Sequence, residues 1–144
     1  MTVIINGRPF LDGVDLDLAE LYRRMRLEKV VPSTTAPAPG EFQQAFLRCL
    51  AGGAGSVLCI TLSSRLSTTF GCALDAARLV KAEHPRAAIE VLDSRQGAIA
   101  EGFITMAAAR AAADGGSLPD VLQAAREAGK RSGLAVTLET LEYL

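Results

Sequence analysis

Apolar and polar positions along the chain follow two alternating periods, one suited to strands and one to helices. Thr2–Ile5 reads as a short strand, and Asn6-Gly7 after it is a turn pair. Asp17, with Glu20 three residues on, makes a helix start in which each side chain can bond a backbone amide at the other's end. The helix predicted from there carries Leu18, Leu21, Tyr22 and Met25 on one face. Pro32, Pro37 and Pro39 break the pattern and mark an ordered loop. Pro39 suits the first turn of the next helix, whose apolar stripe is Phe42, Ala45, Phe46 and Cys49 and whose end is Gly52-Gly53.

Ser56–Leu62, reading SVLCITL, is a continuous apolar run of the kind found in a strand covered on both faces. Ser63 to Ser67 lead into a helix with Phe70, Ala73, Leu74, Ala77 and Val80 on one side. Ala88–Leu92 predicts a second buried strand, ending at Asp93-Ser94. The segment from there to Ala113 is rich in alanine, which favours helix and permits close packing on a sheet. Gly115-Gly116 stop it, and Ser117 with Asp120 starts another helix carrying Leu118, Val121, Leu122 and Ala125. Leu134–Leu138 is the last strand candidate. Strands alternating with helices predict an α/β fold, a mostly parallel sheet flanked by helices on both faces, within one domain over residues 1–144.

Composition narrows the function. The chain has 49% hydrophobic and 22% charged residues, as an ordered soluble domain does, and a formal net charge of −1, which gives no footprint for nucleic acid. No apolar run approaches the ~20 residues that span a bilayer, and Met1–Phe10 lacks the basic lead of a signal peptide. Cys49, Cys59 and Cys72 show no C-x-x-C spacing and read as buried apolar thiols of a reduced, cytoplasmic protein. His84, before Pro85, reads as a surface residue, and one histidine without a cysteine or acid cluster argues against a metal site.

In such a sheet, ligands bind beyond the carboxyl ends of the strands. Three polar loops fit: Pro32–Pro39, Ser63–Thr69 and Asp93–Gly97. The middle one gathers Ser63, Ser64, Ser67, Thr68 and Thr69 at a helix start, where hydroxyls, backbone amides and the helix dipole favour an anion. The plainer alternative is N-capping by Ser64 or Ser67, and Ser33-Thr34-Thr35 reads equally as an ordinary turn. A serine hydrolase built on Ser64 or Ser67 is disfavoured, because G-x-S-x-G is missing and His84 is poorly placed as a base.

These loops carry a family resemblance. Val31–Phe42, VPSTTAPAPGEF, resembles the first signature of the DegV family of fatty-acid-binding proteins, and Ile60–Ala73, ITLSSRLSTTFGCA, resembles its second. Val91–Ser94, VLDS, resembles the third, with Gly102 in its spaced glycine position, and the opening TVIING and closing TLEYL match in order. The resemblance implies a DegV-like, EDD-type fold that holds one long-chain fatty acid as ligand, with no further cofactor and no catalysis of its own. The carboxylate is then presented to a separate fatty-acid kinase. Matched position by position, Thr34 and Thr35 fall on the first signature's hydroxyl pair, and Ser64 and Ser67 on serines of the second. Thr34 and Ser67 are the favoured head-group pair.

The sequence departs from the pattern at Thr68, where the family has glycine, and at Ala36 and Ala38, which replace polar residues. It begins after the family's usual first strand and ends where a second domain, source of a basic head-group partner, normally follows. Phe42, Phe46 and Phe70 are then expected to wall one side of a pocket, and an open sheet edge to favour a homodimer. The alternative to lipid binding is a truncated homologue that acts as an oligomeric interaction module.

Overall fold

In the computed structural model, which describes residues 1–138, β1 (Thr2–Ile5) turns through Asn6 and Gly7 into β2 (Arg8–Leu11). Both turn residues have positive φ, 50° and 75°. That pairing is what a two-residue hairpin turn matched to strand twist requires. β1 also pairs antiparallel with β3 (Ser33–Thr35), giving the order β2-β1-β3. This antiparallel sheet was not indicated by the periodicity, because β2 and β3 are short and mostly exposed. Ser33-Thr34-Thr35 is therefore a strand, not a turn.

The helix α1 (Leu18–Glu28) begins as the sequence indicates, with the Asp17 carboxylate accepting the Glu20 amide at 2.7 Å. The reciprocal half of that expectation is corrected: Glu20 turns to Arg23 and Arg24 at 2.6 and 2.7 Å. Charge-assisted bonds to two guanidiniums outweigh one to a neutral amide. The expected apolar face also narrows. Leu21 packs on Val3, Ile5 and Leu16, whereas Leu18 and Tyr22 stay exposed.

β4 (Ser56–Thr61) and β5 (Ala88–Asp93) form the parallel pair that the strand–helix alternation predicts, in register from Ser56 opposite Ala88 to Thr61 opposite Asp93. Alternate side chains face opposite layers, the period of a strand. Val57, Cys59 and Ile89 meet α2 (Pro39–Ala51) and α3 (Thr69–Glu83) through Phe46, Ala76, Ala77 and Val80. Leu58, Ile60 and Leu92 meet α4 (Ala98–Ala113) and α5 (Leu118–Arg131) through Ile104, Ala108, Val121 and Ala125. Burying Val80, Ile89 and Ile104 fully stabilises this unit by roughly 1.5–3 kcal/mol each.

Pro39 and the Ser117–Asp120 pair open α2 and α5 as expected. Leu134–Leu138 does not form a strand. Leu134, Val136 and Leu138 are exposed, and no described strand pairs with them, so β propensity there goes unused. The closing TLEYL match lies outside the described residues. Cys49 is exposed rather than buried, because Leu47 and Leu50 take the core side of α2 at that end. No described helix is long and apolar enough to cross a membrane. By internal packing the chain forms two compact units, Met1–Pro37 with Thr137 and Leu138, and Ala38–Val136.

Candidate functional site

Within the second unit, the chain leaving β4 turns sharply at Ser63. This side chain is buried and its groups shape the turn: the amide donates to the Gln96 carbonyl at 2.7 Å, the carbonyl accepts from Leu66 and Ser67, and Oγ accepts from Arg65. Ser63 thus fastens two of the polar loops together at the carboxyl ends of the parallel strands. Its hydroxyl is used internally.

Ser64 and Ser67, three residues apart, have different commitments. The Ser64 hydroxyl donates to Asp93 Oδ2 at 2.6 Å and its amide donates to Oδ1 at 3.1 Å. Arg95 adds a third donor, its amide, to Oδ1 at 2.9 Å. Partial burial works to raise the Asp93 carboxyl, but the Ser64 hydroxyl, the Arg95 and Ser64 amides and the Arg95 charge outweigh it and hold the group below its ordinary value. A hydroxyl has one proton, and that of Ser64 is spent on a neighbouring anion.

Ser67 Oγ instead accepts the Thr69 amide at 3.2 Å and shares a hydrogen bond of 2.8 Å with the Thr69 hydroxyl. When Thr69 donates, the Ser67 proton is available to an outside acceptor. The capping alternative therefore holds in part for Ser67, which bonds the first amide of α3, and not for Ser64, whose side chain crosses to β5. Cys72 makes the first full-turn bond, to the Thr68 carbonyl. The amides of Phe70 and Gly71 precede it and have no intrahelical acceptor by helix geometry.

Ser64, Arg65, Ser67, Thr68, Phe70 and Gly71 line an open groove of about 490 Å³, with Leu66 beside them. Thr68 sits at φ −76°, a conformation open to any residue, so the departure from glycine costs no backbone strain. Beside Gly71 there is free space where a side chain would begin.

The other two predicted residues, Thr34 and Thr35, lie on β3 of the first unit, exposed, with Thr34 opposite Val3 and Thr35 opposite Thr2. The aromatic expectation is corrected. Phe46 is buried and Phe42 packs beside it at 6.3 Å between ring centroids, both in the α2–α3 core, so only Phe70 lines the groove. His84 caps the far end of α3. A helix of 15 residues places it ~20 Å from Ser64 and Ser67, out of reach as their base. Asp93 and Thr69 were named from the sequence only as members of polar loops, without their partners Ser64 and Ser67. A carboxylate closing a buried strand was the visible signal for the first, but its pairing with Ser64 spans 29 positions.

A family model described as "Uncharacterised protein, DegV family" matches residues 1–144. A DegV domain-containing protein of Caldanaerobacter subterraneus is 32% identical over 144 residues, covering 100% of this chain and 49% of that protein. Among solved structures, one described as a fat acid (stearic acid)-binding protein from Eubacterium ventriosum superposes with a TM-score of 0.77 at 28% identity, covering 85% of this chain and 42% of that one. Another, described as showing fatty acid binding of a DegV family protein from Thermus thermophilus, gives 0.77 at 25% identity and covers 90% of this chain and 44% of that one. The chain spans about half the length of the relatives it matches.

Proposed function

This chain belongs to the DegV family, and from that membership we propose that it binds a long-chain fatty acid, with the carboxylate held by hydroxyls of the signature loops. The observation that carries the reading is the Ser67–Thr69 pair, a hydroxyl pair with one proton to give beside the Phe70 and Gly71 amides, which have no intrahelical acceptor. Ser64 serves as the strut that ties this turn to Asp93. Thr34 and Thr35, on the first unit, are proposed as fatty-acid-binding residues by the resemblance of their loop to the family's first signature alone. That relatives are described as fatty-acid-binding proteins supports the ligand class.

Magnitudes favour this division of labour. A buried acyl chain gains about 0.8 kcal/mol per methylene, so a long chain supplies on the order of 10 kcal/mol. Removing the carboxylate from water costs several kcal/mol. Bonds to a charged acceptor return roughly 1.5–3 kcal/mol each, so two or three are required. Ser67 and the first-turn amides of α3 supply that number. We place the protein in the cytoplasm as a non-catalytic carrier whose bound acid is phosphorylated by a separate kinase. Organic extraction of the purified protein, followed by mass spectrometry, is expected to yield a fatty acid in near-stoichiometric amount. An extract free of lipid, from protein that also fails to load added fatty acid, overturns the reading.

One observation favours a second role. Ile99, Phe103 and Met106 recur along one face of α4 and are about half exposed or more, and so is Leu66 in the hydroxyl loop. A helix apolar on both faces is normally covered on both. Self-association through this face, as an oligomeric interaction module, is the function proposed if lipid binding fails.

A further inference from the structure

A cleft of about 690 Å³ opens at the carboxyl end of β5, within the second unit. Its floor is apolar, from Phe70, Leu92, Ile104 and Ala125, and its rim carries Arg95, Arg126 and Lys130. Phe70 also lines the groove at Ser67, and Asp93, the one carboxylate among the described residues of the cleft, is the residue that Ser64 bonds. The two depressions therefore adjoin at Phe70 and at the Ser64–Asp93 bond.

The rim charges are not equivalent. Lys130 is paired with Glu127 at 2.7 Å. Arg95 and Arg126 have no carboxylate partner among the described residues. Asp93 accepts three hydrogen bonds, from the Ser64 hydroxyl and the Ser64 and Arg95 amides, and neither guanidinium bonds it, although the Arg95 charge helps to hold it ionised. The Arg95 backbone is left-handed at φ 54°, and the amide bond to Asp93 holds it there at the cleft. A guanidinium offers paired donors in a plane that match a carboxylate. Two such groups above an apolar floor suit an anion with an aliphatic tail. A free phosphate would leave the floor unused.

We propose that Arg95 and Arg126 supply the positive charge that meets the anionic head of a single-chain aliphatic carboxylate entering the hydroxyl groove. The inference rests on the fatty-acid reading above and adds a cationic partner from within this unit. It is tested by binding of oleate and of the uncharged isostere oleyl alcohol, to wild type, Arg126→Gln and the double variant Arg95→Gln/Arg126→Gln, at low and high ionic strength. Both side chains are exposed, and circular dichroism verifies that the variants fold.

The double variant is expected to bind oleate about tenfold more weakly than wild type, with a flatter salt dependence and oleyl alcohol affinity within about twofold. Arg126→Gln alone is expected to fall between, and Arg95→Lys/Arg126→Lys to keep the salt dependence while recovering only part of the affinity. Unchanged oleate affinity in the double variant overturns the inference and leaves the fatty-acid reading standing. Equal loss for oleate and alcohol also overturns it, since the arginines would then act on shape. Wild type that binds neither probe overturns the fatty-acid reading itself, and this inference with it.

Discussion

At the scale of single residues, the hydroxyls of Ser64 and Ser67 separate a strut from a ligand contact. Ser67→Ala removes one hydroxyl of the Ser67–Thr69 pair and is expected to weaken fatty-acid binding about tenfold. It also removes the oxygen that accepts the Thr69 amide, costing about 1 kcal/mol of stability. Cys59→Ala, in the core face of β4, is expected to cost ~1 kcal/mol of stability and leave affinity within twofold. Isothermal titration beside urea melts checks both, and equal affinity for wild type and Ser67→Ala would return the head-group role to Ser64. The sequence made the hydroxyl cluster legible as a cluster. It did not make the commitments legible, because they depend on Asp93 and Gln96 arriving from about 30 positions away. Arg95 and Arg126 were likewise invisible as a pair, since isolated arginines on exposed faces carry no periodic signal.

At the scale of elements, the long periodic segments were readable and the short ones were not. α2, α3, α5 and the strands β4 and β5 have regularly spaced apolar positions, and the core takes several of them, Phe46, Ala77, Val80, Val121 and Ala125 included, while α4 was legible through its alanine content. β2 and β3 have little buried surface to impose a period, and Leu134–Leu138 has the composition of a strand without a described partner. The junction of β5 with its loop yields a pH prediction. The folded-state Asp93 carboxyl sits below its ordinary value, so the stability it contributes is fully present above the ordinary carboxylate range. It is lost as pH falls through the lowered folded value. Asp93→Asn is expected to lower the urea midpoint at neutral pH and to reduce the further loss on acidification. Other lowered carboxyls, Glu20 at about 2 among them, keep the remaining acid sensitivity in both proteins. Parallel midpoint-versus-pH curves for wild type and Asp93→Asn would show that Asp93 is not the group responsible.

At the scale of the whole molecule, the chain matches about half the length of its relatives, while Ile99, Phe103, Met106 and Leu66 present apolar surface. Sedimentation across a concentration series is expected to show a monomer–dimer equilibrium that Phe103→Asp shifts to monomer. A wild-type monomer persisting at hundreds of micromolar, with nothing bound, would contradict self-association. The alternation of strands and helices conveyed the α/β class, and the order of the signature segments conveyed the family. The antiparallel amino-terminal sheet was not conveyed, because its pairing is set by a two-residue turn and a three-residue strand. The central claim is fatty-acid binding, and native mass spectrometry of the delipidated chain titrated with stearate addresses it most directly. The account predicts a one-to-one complex that forms at micromolar ligand and is diminished by Ser67→Ala. A spectrum of unliganded protein alone, across the titration and from folded material, would contradict it.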